Sequence, residues 1–286
     1  MKEFFSISEV MEQYTSNIDK KAKYSFGELI IRSFLAGAMI AFGAEASNVA
    51  SHYIQNVGIA RTVAGIVFPI GLMMVILMGA ELFTGDCMIA IGVSEKKISV
   101  KKCIAMLSTI WVGNFLGGIV ISLLTYFSGQ YNYSGGVLGA YTLKVAISKV
   151  SLPFGTAVAS GILCNILVCA AVLMAMCASD VTGKLISSFF IIFAFVISGF
   201  EHCVANMYYI TAGLLCKMNP DYLKAAYDNF GITESQLNSL SIKTFLINNL
   251  LPVTIGNIIG GILFVGIPLY YLNISKSKTI RKKVLR

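Results

Sequence analysis

The feature that most constrains this chain is a set of long stretches without a charged residue. Asp, Glu, Lys and Arg are absent from 62–80, 103–143, 150–179, 185–200 and 244–275. A helix that crosses a bilayer needs about 20 mostly apolar residues. Only 13% of the chain is charged, whereas a soluble domain carries roughly 25%. The sequence therefore predicts an integral membrane protein rather than a soluble or nucleic-acid-binding one.

The stretch 29–50 adds one more span, because its charged residues lie near its ends. We place six spans at 29–50, 62–92, 104–127, 155–179, 186–215 and 246–272, with the second and fifth interrupted. Continuous apolar runs favour helices over the strands of a β-barrel, whose segments are about 10 residues long and alternate in polarity. The predicted fold class is an all-α polytopic membrane protein with six transmembrane helices.

Three regions follow from this pattern. Residues 1–28 are polar and are expected to form a cytoplasmic amphipathic helix, because Ser6 and Glu9 fit a capping box ahead of apolar residues at helical spacing. Residues 29–272 form the six-span domain. Residues 273–286 form a basic tail.

The basic residues predict the orientation. Six spans place both termini on one side, and sixteen of the 22 Lys and Arg residues fall on that side. The positive-inside rule puts this side in the cytoplasm. The net charge of +8 is then explained by topology and anionic lipid, so it requires no nucleic-acid partner.

Two motifs occur twice in the same order. Residues 79–86 and 199–206 both read Gly-x-Glu-x-x-x-small-Asp/Asn, and residues 113–118 and 256–261 both read Gly-Asn-x-x-Gly-Gly. The first motif lies in the second and fifth spans, and the second motif lies in the third and sixth. A repeat of three spans enters the membrane from opposite sides, as in channels and secondary transporters. We therefore predict inverted repeats at about 29–127 and 155–272.

The first motif places Glu81 and Glu201 in the middle of spans, flanked by small residues that favour a broken helix. A broken helix at membrane depth is tolerated only where it is buried in protein or lines a cavity. These segments are therefore expected to border a pore. The glutamates either brace the break or relay protons, and we expect the bracing role.

Four polar residues are candidates for contact with a solute. His202 follows Glu201, and a histidine inside a membrane is a functional candidate because it exchanges protons near neutral pH. Thr84 offers a hydroxyl that could orient His202 or contact a solute. Lys149 lies at the outer mouth of the fourth span and is either a lone surface lysine or a cation beside a pore, where it would concentrate anions. Asn165 either lines the pore or ties helices together.

Four segments of the sequence together resemble the formate/nitrite transporter family. The resemblance is carried by GAELFTGD (79–86), GNFLGG (113–118), ASGILCNILV (159–168) and GFEHCVANM (199–207). It implies an aquaporin-like fold assembled as a homopentamer, with one pore per protomer. It also implies an Ω-shaped loop around 84–91 and a short loop around 201–204. Asp86 departs from the family, whose formate and nitrite members often carry Asn at this position.

The resemblance also assigns site residues. The central histidine, its partner threonine, and the vestibule lysine and asparagine match His202, Thr84, Lys149 and Asn165. The constriction positions match Phe68, Leu72, Leu82, Phe83 and Phe195.

We therefore expect a channel, passive or proton-coupled, for formate, nitrite or hydrosulfide in a bacterial cytoplasmic membrane. Its partners would be the anion, further copies of itself and the lipid bilayer. With seven cysteines, none of them in C-x-x-C spacing, and two histidines, we expect no metal, no cofactor and no catalytic residues. The alternative is a water or glycerol channel, but such pores usually carry Asn-Pro-Ala, which is absent from the sequence.

Overall fold

A computed structural model of the protein describes residues 4–275. Six helices in this part are long and apolar enough to cross a bilayer, and we call them the first to sixth spans: Phe26–Ser51, Val57–Met78, Val100–Phe127, Phe154–Cys177, Val181–Ser198 and Ile242–Ser275. Two shorter apolar helices, Phe83–Ser94 and Cys203–Cys216, continue the second and fifth spans, and we call them the first and second half-helices. The all-helical fold with broken second and fifth spans is confirmed. Residues 276–286 of the predicted basic tail lie outside the described residues, as do residues 1–3.

Several spans begin before the apolar run does, because a polar residue caps them. Ser25 accepts a hydrogen bond from the backbone N–H of Glu28 and starts the first span. Ser99 caps the third span in the same way, and Asp180 caps the fifth. A capping side chain satisfies one of the free N–H groups of the first turn. Apolar content alone therefore places these starts too late along the chain.

Each break begins at a glycine in the left-handed conformation. Gly79 has φ 63° and Gly199 has φ 70°, and such a residue ends a helix at little steric cost. An extended segment follows each glycine, and the helix resumes at Phe83 in the first repeat and at Cys203 in the second.

The loops expected from the family resemblance therefore begin too late along the chain, by several residues in the first repeat and by one residue in the second. Residues 84–91, expected as an Ω-shaped loop, form helical turns of the first half-helix. In the second repeat the extended stretch is Phe200–His202, so residues 203 and 204 are already helical. The difference arises because each left-handed glycine interrupts the helical hydrogen bonds early, and the short extended segment that follows is enough to restart the helix.

Glycines bring spans into close contact within each repeat. A Cβ on Gly37 in the first span would collide with the backbone of Asn114 in the third. A Cβ on Gly256 in the sixth span would collide with the carbonyl oxygen of Val158 in the fourth. Small residues at such crossings let helix backbones approach closely. The Gly-Asn-x-x-Gly-Gly motif thus has a packing role in both repeats.

Beyond the spans and half-helices, residues 4–275 form four further α-helices, one of which is the short helix Glu234–Ser239. The amphipathic helix Ile7–Lys21 begins with the predicted capping box of Ser6 and Glu9, and we call it the N-terminal helix. Pro220–Phe230 forms a surface helix after the second half-helix. Helix Val137–Val150, which precedes the fourth span, was not predicted, because its apolar residues continue the charge-free stretch of the third span. It packs against the second half-helix, where Ala146 meets Gly213.

Candidate functional site

Asn114 of the third span holds the first break open. Its Oδ1 accepts a hydrogen bond from the N–H of Phe83, 2.9 Å away. Its Nδ2 donates to the carbonyl oxygens of Ser33 at 2.7 Å and Glu81 at 3.0 Å. One buried amide thus satisfies two backbone groups that the broken helix leaves without partners, which is the condition for such a break inside a membrane, and its bond to Ser33 ties the break to the first span.

Asn257 of the sixth span does the same at the second break. Its Oδ1 accepts from the N–H of Cys203 at 2.9 Å, and its Nδ2 donates to the carbonyls of Gly161 at 2.8 Å and Glu201 at 3.0 Å. The three bonds correspond one by one to those of the first repeat. The structure therefore shows that the two motif pairs found in the sequence occupy equivalent places.

The Glu201 carboxylate lies at the centre of one polar cluster. The Lys149 ammonium donates to its Oε1 at 2.9 Å. Its Oε2 accepts from the amides of Asn206 at 2.6 Å and Asn249 at 3.2 Å. We call these four residues the Lys149 cluster. Asn249 is in place because a wider π-helical turn, Phe245–Leu250, opens the sixth span just before a proline at position 252.

The Glu81 carboxylate lies at the centre of the equivalent cluster in the first repeat. The Lys21 ammonium, at the end of the N-terminal helix, binds Glu81 Oε2 and Asp86 Oδ1 together. Burial lowers the pKa of Lys21 and the two carboxylates raise it by more, so its pKa lies above the ordinary value. We call Lys21, Glu81 and Asp86 the Lys21 cluster.

Sequence reasoning missed Lys21, although a signal for it was present. Lys21 precedes Ser33 by 12 residues, and Lys149 precedes Gly161 by the same interval. Ser33 and Gly161 are equivalent because both accept from an anchoring asparagine. Each repeat therefore includes the helix that precedes its own first span, which is the first span of the chain in one repeat and the fourth in the other. Each repeat supplies a lysine to its own glutamate.

His202 and Thr84 meet where the two repeats join. Thr84 Oγ1 lies 2.8 Å from His202 Nε2. His202 Nδ1 lies 3.0 Å from the backbone N of Ala205, which can only donate. A neutral ring that accepts at Nδ1 carries its proton at Nε2, so this contact assigns the tautomer and makes Nε2–H the donor to Thr84.

Two cavities lie on either side of this pair. The first, about 250 Å³, is lined by Lys149, Glu201 and His202, and we call it the Lys149 cavity. The second, about 340 Å³, is lined by Lys21, Glu81 and Asp86 and by the N-terminal helix, and we call it the Lys21 cavity. His202 lines the Lys149 cavity, and Leu82 and Gly85, which flank residues 83 and 84, line the Lys21 cavity. The Thr84–His202 contact therefore separates the two cavities.

Four of the five expected constriction residues line these cavities. Phe68 and Phe195 line the Lys149 cavity, with ring centroids 5.7 Å apart, and the Phe195 ring lies 5.9 Å from that of His202. Leu72 and Leu82 line the Lys21 cavity. Phe83 is not among the described residues that line either cavity, although its side chain is buried.

Asn165 ties helices together. Its Nδ2 donates to the carbonyls of Thr84 at 3.1 Å and Asn257 at 2.5 Å, and it is fully buried. It lines neither cavity within residues 4–275. Of the two readings left open by the sequence, the geometry favours the packing one.

Asn48 is a second polar residue that the sequence reading passed over. It lies in the first span, is 5% exposed and lines the Lys149 cavity. In the part of the chain that the structure describes, its Nδ2 has no hydrogen-bond partner. A buried amide donor without a partner costs free energy, so a cavity that offers one is suited to a ligand that accepts hydrogen bonds.

The motifs, the paired breaks and the two cavities can now be set beside known proteins. The sequence model of the formate/nitrite transporter family matches residues 8–271. The chain belongs to the formate/nitrite transporter family. It is therefore a multi-pass membrane protein of a transporter and channel family, and not an enzyme.

Curated relatives and solved structures agree with this assignment. The chain is 35% identical to a probable formate transporter of Methanothermobacter thermautotrophicus, over 94% of this chain and 97% of the relative. It is 36% identical to the formate channel FocA of Haemophilus influenzae, over 75% of each. A solved pentameric formate channel with formate bound is 30% identical, with a TM-score of 0.76 over 86% of this chain and 97% of that one. A solved FNT family ion channel is 28% identical, with a TM-score of 0.76 over 92% and 98%.

Proposed function

We propose that this transporter conducts small monovalent anions of weak acids through a pore in each protomer, running from the Lys149 cavity to the Lys21 cavity. The observation that carries the proposal is the contact between His202 and Thr84. It is a polar pair with hydrogen-bond donors, buried between apolar side chains at the point where the two cavities meet.

Entry from the Lys149 cavity comes first. An ammonium in a concave, low-dielectric site raises the local concentration of anions. Lys149 supplies it, and Asn48 offers a free amide N–H in the same cavity. A neighbouring cavity of about 630 Å³ widens the approach and is lined by Arg61 and Lys144.

Passage through the middle is controlled by apolar side chains. Phe68 and Phe195 on one side, and Leu72 and Leu82 on the other, make it costly for a bare anion to cross. Between these two apolar constrictions, His202 and Thr84 would donate hydrogen bonds to the anion, or His202 would donate a proton to it. Phe83 would add an apolar ring at the level of Thr84. Either passive flux or anion–proton symport is compatible with this arrangement.

Two relatives support the choice of substrate and assembly. The solved pentameric channel holds formate, and the Haemophilus relative is a formate channel. We propose formate as the first anion to test, nitrite and hydrosulfide as the next, and a homopentamer as the assembly. The excess of Lys and Arg on one side supports a bacterial cytoplasmic membrane with both termini in the cytoplasm.

The test is solute flux in liposomes that contain the purified protein. Formate, nitrite, hydrosulfide and glycerol are compared across a pH series. At least one anion should cross much faster than glycerol, and His202→Ala should lower its flux roughly tenfold to a hundredfold, the effect of losing a hydrogen bond to an anion.

Matched variants sharpen the result. Thr84→Val removes the hydroxyl and should lower the anion flux, whereas Thr84→Ser keeps the hydroxyl and most of the flux. The other histidine, His52, bonds to Val49 and Ser134 away from the breaks, so His52→Ala should leave the His202-dependent step intact. If glycerol crosses as fast as every anion and His202→Ala changes nothing, the protein is a neutral-solute channel instead.

A further inference from the structure

The Lys21 and Lys149 clusters differ at one equivalent position. In the second repeat, Asn206 donates its amide N–H to the Glu201 carboxylate at 2.6 Å. In the first repeat, the same place in the motif holds Asp86. An ionised aspartate has no proton to donate, so it cannot make this hydrogen bond to Glu81. A protonated aspartate can.

The charges of the Lys21 cluster do not balance if both acids are ionised. Glu81 and Asp86 are each 3% exposed and share one ammonium, that of Lys21. The Lys149 cluster holds one carboxylate and one ammonium, with amides for the rest. An unbalanced buried charge is costly, and a bound proton removes it.

Asp86 also has an oxygen without a partner. Its Oδ1 binds Lys21, but within residues 4–275 its buried Oδ2 has no hydrogen-bond partner. The same Nζ holds Glu81 next to it, so the two carboxyl groups lie side by side. A proton on the Asp86 carboxyl group would make it a hydrogen-bond donor, and the Glu81 carboxylate beside it is within reach of its side chain.

Other ionisable groups around Asp86 do not supply the missing positive charge. On the N-terminal helix, Tyr14 donates to the carbonyl of Gly85 at 3.4 Å. Lys20 and Arg32 line the same cavity, but in the described part of the chain neither is paired with Asp86. Arg32 binds Glu28 on its own span. The remaining neighbours are the thiols of residues 87 and 169, which are uncharged when protonated.

We propose that Asp86 carries a proton and donates it in a hydrogen bond to Glu81, so that the Lys21 cluster is neutral and reproduces the Asn206–Glu201 contact of the other repeat. The pair is a proton-binding site at the Lys21 end of the pore. Its effect on transport, but not its existence, rests on the proposed anion flux.

The charge of the Lys21 cluster changes with pH through the gain or loss of the proton on Asp86. The pKa of Lys21 lies above its ordinary value, so the ammonium keeps its charge as the pH around a cell changes. A rise in pH on the Lys21 side instead removes the shared proton. The Lys21 cavity then gains a negative charge, which repels an anion within it. At an effective dielectric near 20 and a separation of about 8–10 Å, one such charge lowers anion entry by roughly tenfold or more.

Two readouts test the proposal on the full-length reconstituted protein. Infrared spectroscopy near neutral pH should show the carbonyl band of a buried protonated carboxyl group, and Asp86→Asn should abolish it. In liposomes, formate entry from the Lys21 side should fall about tenfold as that side is made alkaline. Asp86→Asn should remove this dependence and keep the flux seen at acidic pH.

The repeat supplies a matched variant. Asn206→Asp places a second acid beside Glu201 and should create the same pH dependence on the Lys149 side. An infrared spectrum with no band that depends on Asp86 overturns the proposal, as does an unchanged pH profile in Asp86→Asn. If the band is present but the parent protein passes no anion, the proton site stands and the proposed function fails.

Discussion

The two broken spans are built on the same backbone scaffold but carry different charges. Asn114 and Asn257 make the same three bonds to the backbone in their own repeats. Around the glutamates the repeats diverge, because one contains Asp86 where the other contains Asn206. The comparison shows that the two breaks share the contacts that stabilise them at membrane depth, because both leave backbone N–H and carbonyl groups that require hydrogen-bond partners. Each repeat also keeps a lysine paired with its glutamate, whereas the position of Asp86 and Asn206 beside that pair differs.

Two further differences between the repeats make the centre of the molecule asymmetric. His202 of the second repeat is equivalent to Leu82 of the first, and Thr84 of the first is equivalent to Val204 of the second. One repeat therefore supplies the imidazole and the other supplies the hydroxyl. The inversion brings these two residues together, which gives the molecule a single polar pair between its cavities.

The largest effects are expected from removing the shared scaffold. Asn114→Leu and Asn257→Leu each leave one N–H and one carbonyl group of a broken span buried without partners and remove a bond to a neighbouring span, which costs of the order of 5 kcal/mol. Because the bonds correspond one by one, the two variants should lose similar amounts of stability. SDS titration of the protein in mixed micelles measures the free energy of unfolding.

Asn229→Leu is the control for these variants. Asn229 is exposed and makes one bond within its own helix, so its loss should change stability little. A large loss in only one of the two anchor variants would show that the breaks do not depend on their asparagines equally.

Replacing the two lysines should destabilise the protein to different extents in the two clusters. Lys149→Met leaves the buried Glu201 carboxyl group without its cation, which costs about 3–5 kcal/mol in a buried pair. Lys21→Met should cost less, about 1–3 kcal/mol, because Lys21 is more exposed, at 23% against 14%, and a proton is already shared there. The same SDS titration compares them.

A second substitution checks the cause of the Lys149 effect. Adding Glu201→Gln to Lys149→Met removes the unpaired charge and should recover most of the lost stability. If the double variant is as unstable as the single one, the loss reflects packing of the lysine stem rather than charge.

The glycine crossings should give the smallest loss and test the packing shared by both repeats. Gly37→Ala and Gly256→Ala force a methyl group into a facing backbone and should cost about 1–3 kcal/mol. Gly27 lies in the first span with Gly37, and Gly155 lies in the fourth span, which Gly256 faces; neither has an atom within 4 Å of an added Cβ. Alanine at these two positions should be neutral or stabilising by up to about 1 kcal/mol. Equal effects at all four positions would contradict the close crossing.

The sequence predicted the fold well because its signals are local. Charge-free stretches located the spans, and the repeated Gly-x-Glu motif located both breaks. The loops implied by the family resemblance were placed too late, by several residues in the first repeat and by one in the second, because the conformation of Gly79 and Gly199 cannot be inferred from composition. Helix Val137–Val150 was hidden within an apolar stretch that gave no boundary.

The candidate site was harder to predict because its contacts are long-range. Lys21 binds a glutamate 60 residues away, and only its position in the repeat, 12 residues before Ser33, distinguishes it from Lys20 in the same helix. Asn48 has the same difficulty, since its importance depends on a cavity that several spans enclose. The partners of Asn165 belong to two different helices, so its packing role required the fold.

The central claim is that the anion path runs inside each protomer, past His202 and Thr84. The most direct test is a cryo-EM structure of the reconstituted protein in saturating formate. The account predicts formate in the Lys149 cavity or between the two cavities, within hydrogen-bond distance of Lys149, His202 or Thr84. Formate bound only between protomers, with the space between the two cavities filled by side chains, would contradict it.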